Sequence, residues 1–189
     1  MSNFTVLYDA CVLYPAPLRD LLMEVALTDL YRAKWTNEIH EEWIRNVLNN
    51  RADLKKEQLE RTRDLMNYCV LDSLVENYKQ FEKIVSLPDP GDCHVLAAAI
   101  ASGANVIVTY NLKDFPSSEL SKYEIEAQHP DVFLMHLLDL DEHRVLAAIK
   151  RTRARLKNPP KTVGEYLKIL EKQNLNEFVG FLKSKKDFI

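Results

Sequence analysis

The chain has 189 residues, which is enough for one α/β domain with a buried core and a small appendage. With 47% hydrophobic and 28% charged residues its composition is that of a globular protein, and a net charge of −3 argues against a protein that coats nucleic acid non-specifically. Three cysteines without CxxC spacing argue against a zinc knuckle or a disulfide scaffold. The sequence shows no leader and no apolar stretch of about 20 residues, so we expect a cytoplasmic protein without a membrane partner.

Short apolar runs alternate with helical patterns over the first two thirds of the chain. The runs at 4–8 and 105–109 predict buried strands, and shorter strands are expected at 35–36, 69–71 and 124–128. The patterns between them predict helices at 18–32, 37–49, 53–68, 74–85 and 94–102. This alternation predicts a three-layer α/β/α fold around a parallel sheet.

Beyond Pro130 the pattern changes to helices only. The expected helices are 131–138, 141–156, 162–173 and 176–183. Apolar residues recur on one face of these segments, which indicates a packed subdomain rather than a tail. We therefore predict an α/β domain at 1–129 and a helical C-terminal subdomain at 130–189.

Four acidic segments stand out against this background. Their polar residues are Asp9, the pair Glu41 and Glu42, Asp92, and Asn111 with Asp114. Two of the segments follow a strand, and the carboxyl ends of parallel strands share one edge of a sheet, so these side chains are expected to converge. Crowded carboxylates repel one another unless a cation joins them, and oxygen ligands favour Mg²⁺ or Mn²⁺. The pattern is typical of a metal-dependent nuclease site.

Each acid also has a structural explanation. Asp9 taken alone is equally well a turn residue or a helix cap. Asp92 lies in the first turn of a helix and interacts favourably with the helix dipole, although Asp89 can supply the cap by itself. Glu41 and Glu42 fall just outside opposite edges of the buried helical stripe, so the pattern does not distinguish them.

The segment VTYNLKDF places three polar side chains after a strand. Thr109 closes the strand, Asn111 follows it, and Asp114 comes one turn later. A hydroxyl, an amide and a carboxylate at this position suit the orientation of water and the support of metal ligands. The alternative is a turn followed by a short helix that Phe115 anchors.

Taken together, the segments VLYDACVLYPAPLRDLL, WTNEIHEEWIRNVL and DPGDCHVLAAAIASGANVIVTYNLKDFP resemble the PIN-domain ribonucleases, in particular the toxins of VapBC-type toxin–antitoxin pairs. The resemblance covers residues 3–128. It places the family's three metal-binding acids and then its supporting polar positions on Asp9, Glu42, Asp92, Thr109, Asn111 and Asp114. Members of the family differ in whether a fourth acid stands at the position of Asn111 or of Asp114, and here the first of these is an amide.

The resemblance implies cleavage of single-stranded RNA that depends on Mg²⁺ or Mn²⁺ and leaves a 5′-phosphate and a 3′-hydroxyl. No side-chain nucleophile is expected, because Cys11 and His94 lack an ordered partner in the sequence, and His94 is expected on a helix surface. The resemblance also implies an antitoxin that covers the cleft and inserts a basic side chain among the carboxylates. Homodimers are frequent in the family.

Basic side chains are expected to hold the RNA backbone. The candidates for substrate binding are Arg19, Lys113, Arg151 and Arg155. The last two belong to a basic run at 143–161 that contains no acid, which can bind phosphates but can equally be a solvated helix face or a docking surface for an acidic partner.

Three other functions compete with an RNA-cleaving toxin. A phosphotransfer domain requires a second acid close to Asp9, where this chain has Ala10 and Cys11. A DNA-directed enzyme of the 5′-nuclease type usually carries more carboxylates and a helical arch. A non-catalytic PIN-fold binding module would keep the fold without the metal, which the presence of Asp9, Glu42 and Asp92 argues against.

Overall fold

A computed structural model describes residues 4–189; residues 1–3, which fall within the predicted domain 1–129, lie outside the described residues. Four strands form one parallel sheet in the order β2-β1-β3-β4: β1 Thr5–Tyr8, β2 Arg32–Lys34, β3 Val106–Val108 and β4 Glu126–Gln128. The two central strands are buried along their whole length, as continuous apolar runs require, whereas the edge strands are polar. The predicted parallel α/β fold is confirmed.

Six helices accompany the sheet: α1 Ala10–Leu13, α2 Ala16–Ala26, α3 Asn37–Asn50, α4 Lys56–Cys69, α5 Cys93–Ser102 and α6 Ser117–Leu120. Thr36 caps α3 by accepting a hydrogen bond from the Ile39 amide, so this helix begins where the predicted helix 37–49 does. Helix α5 packs on β1 and β3 and ends at Gly103, whose φ of 61° is the left-handed conformation that glycine adopts without strain. Helix α3 carries Glu41 and Glu42, and Asp92 directly precedes α5.

The predicted helix 18–32 was too long. Helix α2 ends at Ala26, and the chain enters β2 at Arg32, whose amide donates to the Phe4 carbonyl at 3.1 Å. Asp29 reverses the chain in the left-handed conformation, with a φ of 58°. The hydrogen bonds that β2 gains beside β1 thus outweigh the helical periodicity of this segment.

The segment between α4 and α5 also differs from expectation. No strand forms at 69–71, because α4 continues to Cys69 and the chain instead makes an isolated bridge between Trp35 and Leu74. The predicted helix 74–85 is reduced to a short 3₁₀ turn at Phe81–Lys83. Left-handed residues at Asp72 and Asn77 turn this stretch before a helix can propagate.

The C-terminal region consists of α7 Pro130–Arg155, α8 Val163–Glu171 and α9 Asn176–Lys183. Helix α7 is broken at Asp141, whose backbone is not helical and whose carboxylate accepts from the Arg144 amide at 3.0 Å, so it caps the second half. The two halves correspond to the predicted helices 131–138 and 141–156. Within residues 4–189, no helix has the length and apolar character that a membrane crossing requires.

Candidate active site

Asp9 lies at the carboxyl end of β1, where its amide donates to the Val108 carbonyl of β3 at 3.1 Å. Its side chain is almost fully buried, with 2% of the residue exposed. The carboxylate oxygen Oδ2 accepts from the Thr109 hydroxyl at 2.6 Å and from the Cys11 thiol at 3.0 Å. Burial raises the pKa of Asp9, although these two hydrogen bonds oppose the shift. The two hydrogen bonds therefore hold the Asp9 carboxylate in one orientation, while burial disfavours its charged form.

Thr109 and Cys11 support Asp9 from two sides. The Thr109 hydroxyl accepts from the Asn111 amide at 2.9 Å, and the Cys11 sulfur accepts from the Tyr110 amide at 3.2 Å. The expectation that Cys11 has no ordered partner was therefore wrong. Its position two residues after Asp9, on the first turn of α1, is the signal in the sequence that suggests such a contact.

Glu42 and His94 meet across helices α3 and α5. The His94 atom Nε2 lies 3.4 Å from Glu42 Oε2, and only 8% of His94 is exposed. Burial alone would lower the pKa of His94, but the hydrogen bond to Glu42 and the nearby carboxylates of Glu38 and Asp9 raise it. The predicted surface position of His94 was wrong, because its imidazole is buried against the glutamates Glu38 and Glu42 of α3.

The structure separates the two neighbouring glutamates of α3. Glu42 is partly buried and lies close enough to Asp9 for the two carboxylates to repel each other. Glu41 is exposed and lines a groove of about 400 Å³ between α3 and α4, together with Arg45 and Lys56. Only Glu42 therefore lies at the carboxyl edge of the sheet.

Asp92 ends the short 3₁₀ turn Pro90–Asp92 that precedes α5, and Asp89 caps this turn by accepting from the Gly91 amide at 2.8 Å. Partial burial raises the pKa of Asp92 to about 7, helped by the neighbouring carboxylates of Asp9, Asp89, Asp114 and Glu42. Acids that are far apart in sequence therefore act on one another at a single site. Asp89 serves as the cap, as predicted, and Asp92 is left without that structural role.

The acidic site suits a hard divalent cation by the chemistry of its donors, since carboxylate oxygens are the preferred ligands of Mg²⁺ and Mn²⁺. The mutual repulsion that raises the pKa of Asp92 is the kind of strain that a cation relieves. Across residues 4–189, however, no three acidic, histidine or cysteine side chains are close enough to hold an ion as they stand.

The predicted RNA-binding residues occupy different environments. Arg19 is buried, donates to the Leu13 carbonyl at 2.9 Å and stacks over the Trp43 ring at 4.7 Å. Lys113 is exposed on the 3₁₀ turn Leu112–Asp114, next in sequence to Asp114.

The remaining two candidates, Arg151 and Arg155, form ion pairs with Glu24 of α2. The structure thus engages the three arginines with other parts of the chain and leaves Lys113 exposed next to Asp114. The role of the arginines in RNA binding stays a prediction.

A parallel four-stranded sheet with acids gathered at its carboxyl edge is the architecture of a PIN domain. Residues 5–113 match the PIN domain family, which is more than half of the chain, so the chain belongs to this family. Residues 130–184 match a second family, described as the VapC50 C-terminal domain. The resemblance to VapC-type PIN-domain proteins that carry a helical extension is therefore confirmed.

A relative in Mycobacterium tuberculosis (strain ATCC 25618 / H37Rv), named "Putative ribonuclease VapC50", is 46% identical to this chain over 82 residues. The matched segment covers 43% of this chain and 48% of that protein, so the comparison spans about half the length of the relative. No solved structure matches this chain.

Proposed function

We propose that this protein is a metal-dependent endoribonuclease that cleaves single-stranded RNA and acts as the toxin of a toxin–antitoxin pair in the cytoplasm. The observation that carries the proposal is the convergence of carboxylates around Asp92, whose pKa of about 7 reflects burial and four neighbouring acids. Membership of the PIN-domain family and the name of the relative support the same chemistry. A site of this kind, placed at the carboxyl edge of a parallel sheet, is where α/β proteins bind their ligands.

Asp9, Glu42 and Asp92 are the side chains that would hold a Mg²⁺ or Mn²⁺ ion. Such an ion, when bound, lowers the pKa of water and neutralises negative charge at the scissile phosphate. Asp9 is already oriented by the Thr109 hydroxyl and the Cys11 thiol, both of which donate to Oδ2. Glu42 is held by His94, a contact that keeps its carboxylate directed towards α5.

Asn111, Asp114 and Lys113 would complete the site on its exposed side. The backbone N–H of Asn111 donates a hydrogen bond to the Thr109 hydroxyl, and Asp114 is near enough to raise the pKa of Asp92. The Lys113 ammonium lies next in sequence to Asp114 and is exposed to solvent, so it can approach a phosphate of the RNA backbone. These residues supply positioning rather than a nucleophile.

The net negative charge of the site also suggests how it would be inhibited. We propose that an antitoxin covers the acidic edge and inserts a basic side chain among the carboxylates, where an unpaired cluster favours a cation. The toxin itself is proposed to form a homodimer, in line with the VapC-type resemblance.

The neighbouring glutamates Glu41 and Glu42 provide a matched test of this function. Wild type, Glu42→Gln, Glu41→Gln and Asp9→Ala would be compared on a panel of single-stranded RNAs with Mn²⁺, Mg²⁺ or EDTA. We expect metal-dependent cleavage that falls at least about 100-fold in Glu42→Gln and Asp9→Ala, the loss typical of a group essential to proton transfer or water activation. Glu41→Gln should cleave like wild type, because that side chain points into the α3–α4 groove.

Several outcomes would count against the proposal. Equal cleavage by wild type and Asp9→Ala would indicate a contaminating nuclease. A folded wild type that binds no Mn²⁺ would instead support a non-catalytic binding module, and cleavage of DNA alone would support an enzyme of the 5′-nuclease type.

A further inference from the structure

Tyr110 connects the acidic site to the C-terminal helices. Its amide donates to the Cys11 sulfur at 3.2 Å, and the Cys11 thiol in turn donates to Asp9 at 3.0 Å. At the other end of the same residue, the phenol hydroxyl donates to the backbone carbonyl of Gln173 at 2.7 Å. Gln173 lies in the turn between α8 and α9. One residue therefore spans the distance between the support of Asp9 and the helical extension.

The turn that carries Gln173 is itself fixed in place by a buried acid. Asp131, at the start of α7, accepts hydrogen bonds from the amides of Glu177 and Phe178, both at 2.9 Å. These amides belong to the first turn of α9, so Asp131 caps that helix from outside its own sequence. Only 8% of Asp131 is exposed, which makes the cap a firm attachment of α9 to α7. The Gln173 carbonyl, which accepts from the Tyr110 hydroxyl, thus lies next to a helix start that Asp131 holds in place.

The ring of Tyr110 is held from a second direction. His129, between β4 and α7, packs edge-on against it with the ring centroids 5.1 Å apart and the planes at 71°. The His129 atom Nδ1 accepts from the Asp131 amide at 3.1 Å, which orients the imidazole. The side chain of Tyr110 therefore contacts two residues that follow β4, His129 through its ring and Gln173 through its hydroxyl.

We propose that the C-terminal extension positions the acidic site through Tyr110, so that Tyr110 is a positioning residue and the helical subdomain is a working part of the nuclease. The chain of contacts runs from Gln173 through Tyr110 and Cys11 to Asp9. The residues on either side of Tyr110 are Thr109, whose hydroxyl donates to Asp9, and Asn111, whose backbone N–H donates to that hydroxyl. Loosening Tyr110 would therefore disturb both of the side-chain hydrogen bonds that orient the Asp9 carboxylate. The link to catalysis depends on the proposed function, whereas the mechanical link does not.

The variant Tyr110→Phe tests this proposal with the smallest possible change. It removes the hydroxyl that reaches Gln173 and keeps the ring that packs on His129. Tyr123→Phe is a matched control, since it removes a hydroxyl that also donates to a backbone carbonyl, that of Ile84 at 3.3 Å, at an exposed position. Both variants should have unfolding midpoints close to that of wild type.

Three measurements separate positioning from a merely structural role. Amide hydrogen exchange at residues 109–114 should be faster in Tyr110→Phe by about five-fold, the loss expected from one hydrogen bond of ordinary strength. Binding of Mn²⁺, measured by titration calorimetry, should weaken by a similar factor. The kcat for single-stranded RNA should fall by about five-fold while the KM stays within about two-fold, because the substrate contacts are unchanged. Tyr123→Phe should change none of these quantities.

The proposal is overturned if exchange at residues 109–114 and the affinity for Mn²⁺ are the same in Tyr110→Phe and Tyr123→Phe. If the wild type neither cleaves RNA nor binds Mn²⁺, the proposed function fails, and the exchange comparison then decides the mechanical link alone. Faster exchange in Tyr110→Phe supports the link in either case.

Discussion

Two carboxylates of this protein are equally buried and yet sit in opposite surroundings. Asp9 and Glu24 are each 2% exposed. Glu24 forms ion pairs with Arg151 and Arg155, the latter with Nη1 2.6 Å from Glu24 Oε2. Asp9 has only the neutral side-chain donors Cys11 and Thr109, and the ionisable groups near it are the acids Glu42 and Asp92 and the imidazole of His94. Among residues 4–189, Glu24 thus forms direct ion pairs with two arginines, whereas Asp9 forms no ion pair.

The difference distinguishes an acid that serves the fold from an acid that serves a ligand. A buried charge is tolerated when it is paired and hydrogen-bonded, as Glu24 is where α2 packs on α7. A buried acid among other acids raises the free energy of the folded protein until a cation arrives from outside. Function is therefore expected where the chain leaves the charge uncompensated.

The largest change in the free energy of unfolding is expected at Glu24, the buried acid that is paired with two arginines. Replacing both of its partners, in the double variant Arg151→Met and Arg155→Met, leaves Glu24 buried without a cation and should lower the free energy of unfolding by about 3–5 kcal/mol. Glu24→Gln should cost less, since the two arginine side chains are 48% and 67% exposed and can return to water. Urea unfolding at neutral pH measures both.

Lys150→Met, an exposed position on the same helix, serves as the control and should unfold like wild type. If Glu24→Gln is as destabilising as the double arginine variant, the cost does not arise from an unpaired buried charge. The contrast between Glu24 and Asp9 would then lose its physical basis.

His40 offers an intermediate case, a buried group that the fold keeps neutral. Its Nδ1 accepts from the Trp43 indole at 3.0 Å, and the indole nitrogen can only donate. The other ring nitrogen therefore carries the proton and donates to Asn67 Oδ1, also at 3.0 Å. Burial lowers the pKa of His40 to about 4, against the opposing effect of the Asn67 hydrogen bond. A second proton on Nδ1 would face the indole N–H.

The protein should consequently become less stable as the pH falls, because His40 takes up a proton more readily in the unfolded chain. The lowered pKa means that the unfolded chain binds the proton more tightly, so His40 contributes its full stabilisation above pH about 6.5 and loses it between pH 6.5 and 4. The expected loss is about 3 kcal/mol. Urea unfolding of wild type and His40→Gln at several pH values isolates the effect, because the variant lacks this titration. Parallel pH profiles for the two proteins would contradict it.

The smallest change in stability is expected at Asp92 in the acidic site. Its charge should make the protein less stable as the pH rises, whereas His40 makes it less stable as the pH falls. The raised pKa of Asp92 means that its negative charge destabilises the metal-free fold increasingly from pH about 4 up to about 7. Asp92→Asn should therefore raise the free energy of unfolding at pH 8 in EDTA by about 1–2 kcal/mol, after allowance for its partial exposure. At pH below 4 the two proteins should be equally stable.

Asp89→Ala is the matched control for Asp92, because it removes the carboxylate that caps the same turn. Loss of that cap should lower the free energy of unfolding by about 1 kcal/mol. Addition of Mn²⁺ should stabilise wild type and leave Asp92→Asn almost unchanged, since an ion that binds only the folded state adds to its stability. A less stable Asp92→Asn at pH 8 would show that the site is not under electrostatic strain.

Features that depend on neighbouring residues could be predicted from the sequence alone. Continuous apolar runs marked β1 and β3, and cap residues marked the starts of helices, as at Thr36 and Asp89. The break in α7 near Asp141 was also visible in the pattern. Caps, turns and periodicity act over a few residues, so they can be recognised in a single chain. The order of the acidic segments was enough to indicate the PIN-domain family.

The contacts between distant side chains, in contrast, became visible only in the folded protein. The fold directed Glu42 to the site and Glu41 to the α3–α4 groove, and it buried His94 against Glu42. It also placed Arg19 over Trp43 in the interior. The pairing of β2 with β1 ended α2 earlier than its periodicity suggested, because strand hydrogen bonds formed across the fold outweigh local helical preference. Contacts of this kind join residues far apart in the chain, and they depend on packing that no local pattern encodes.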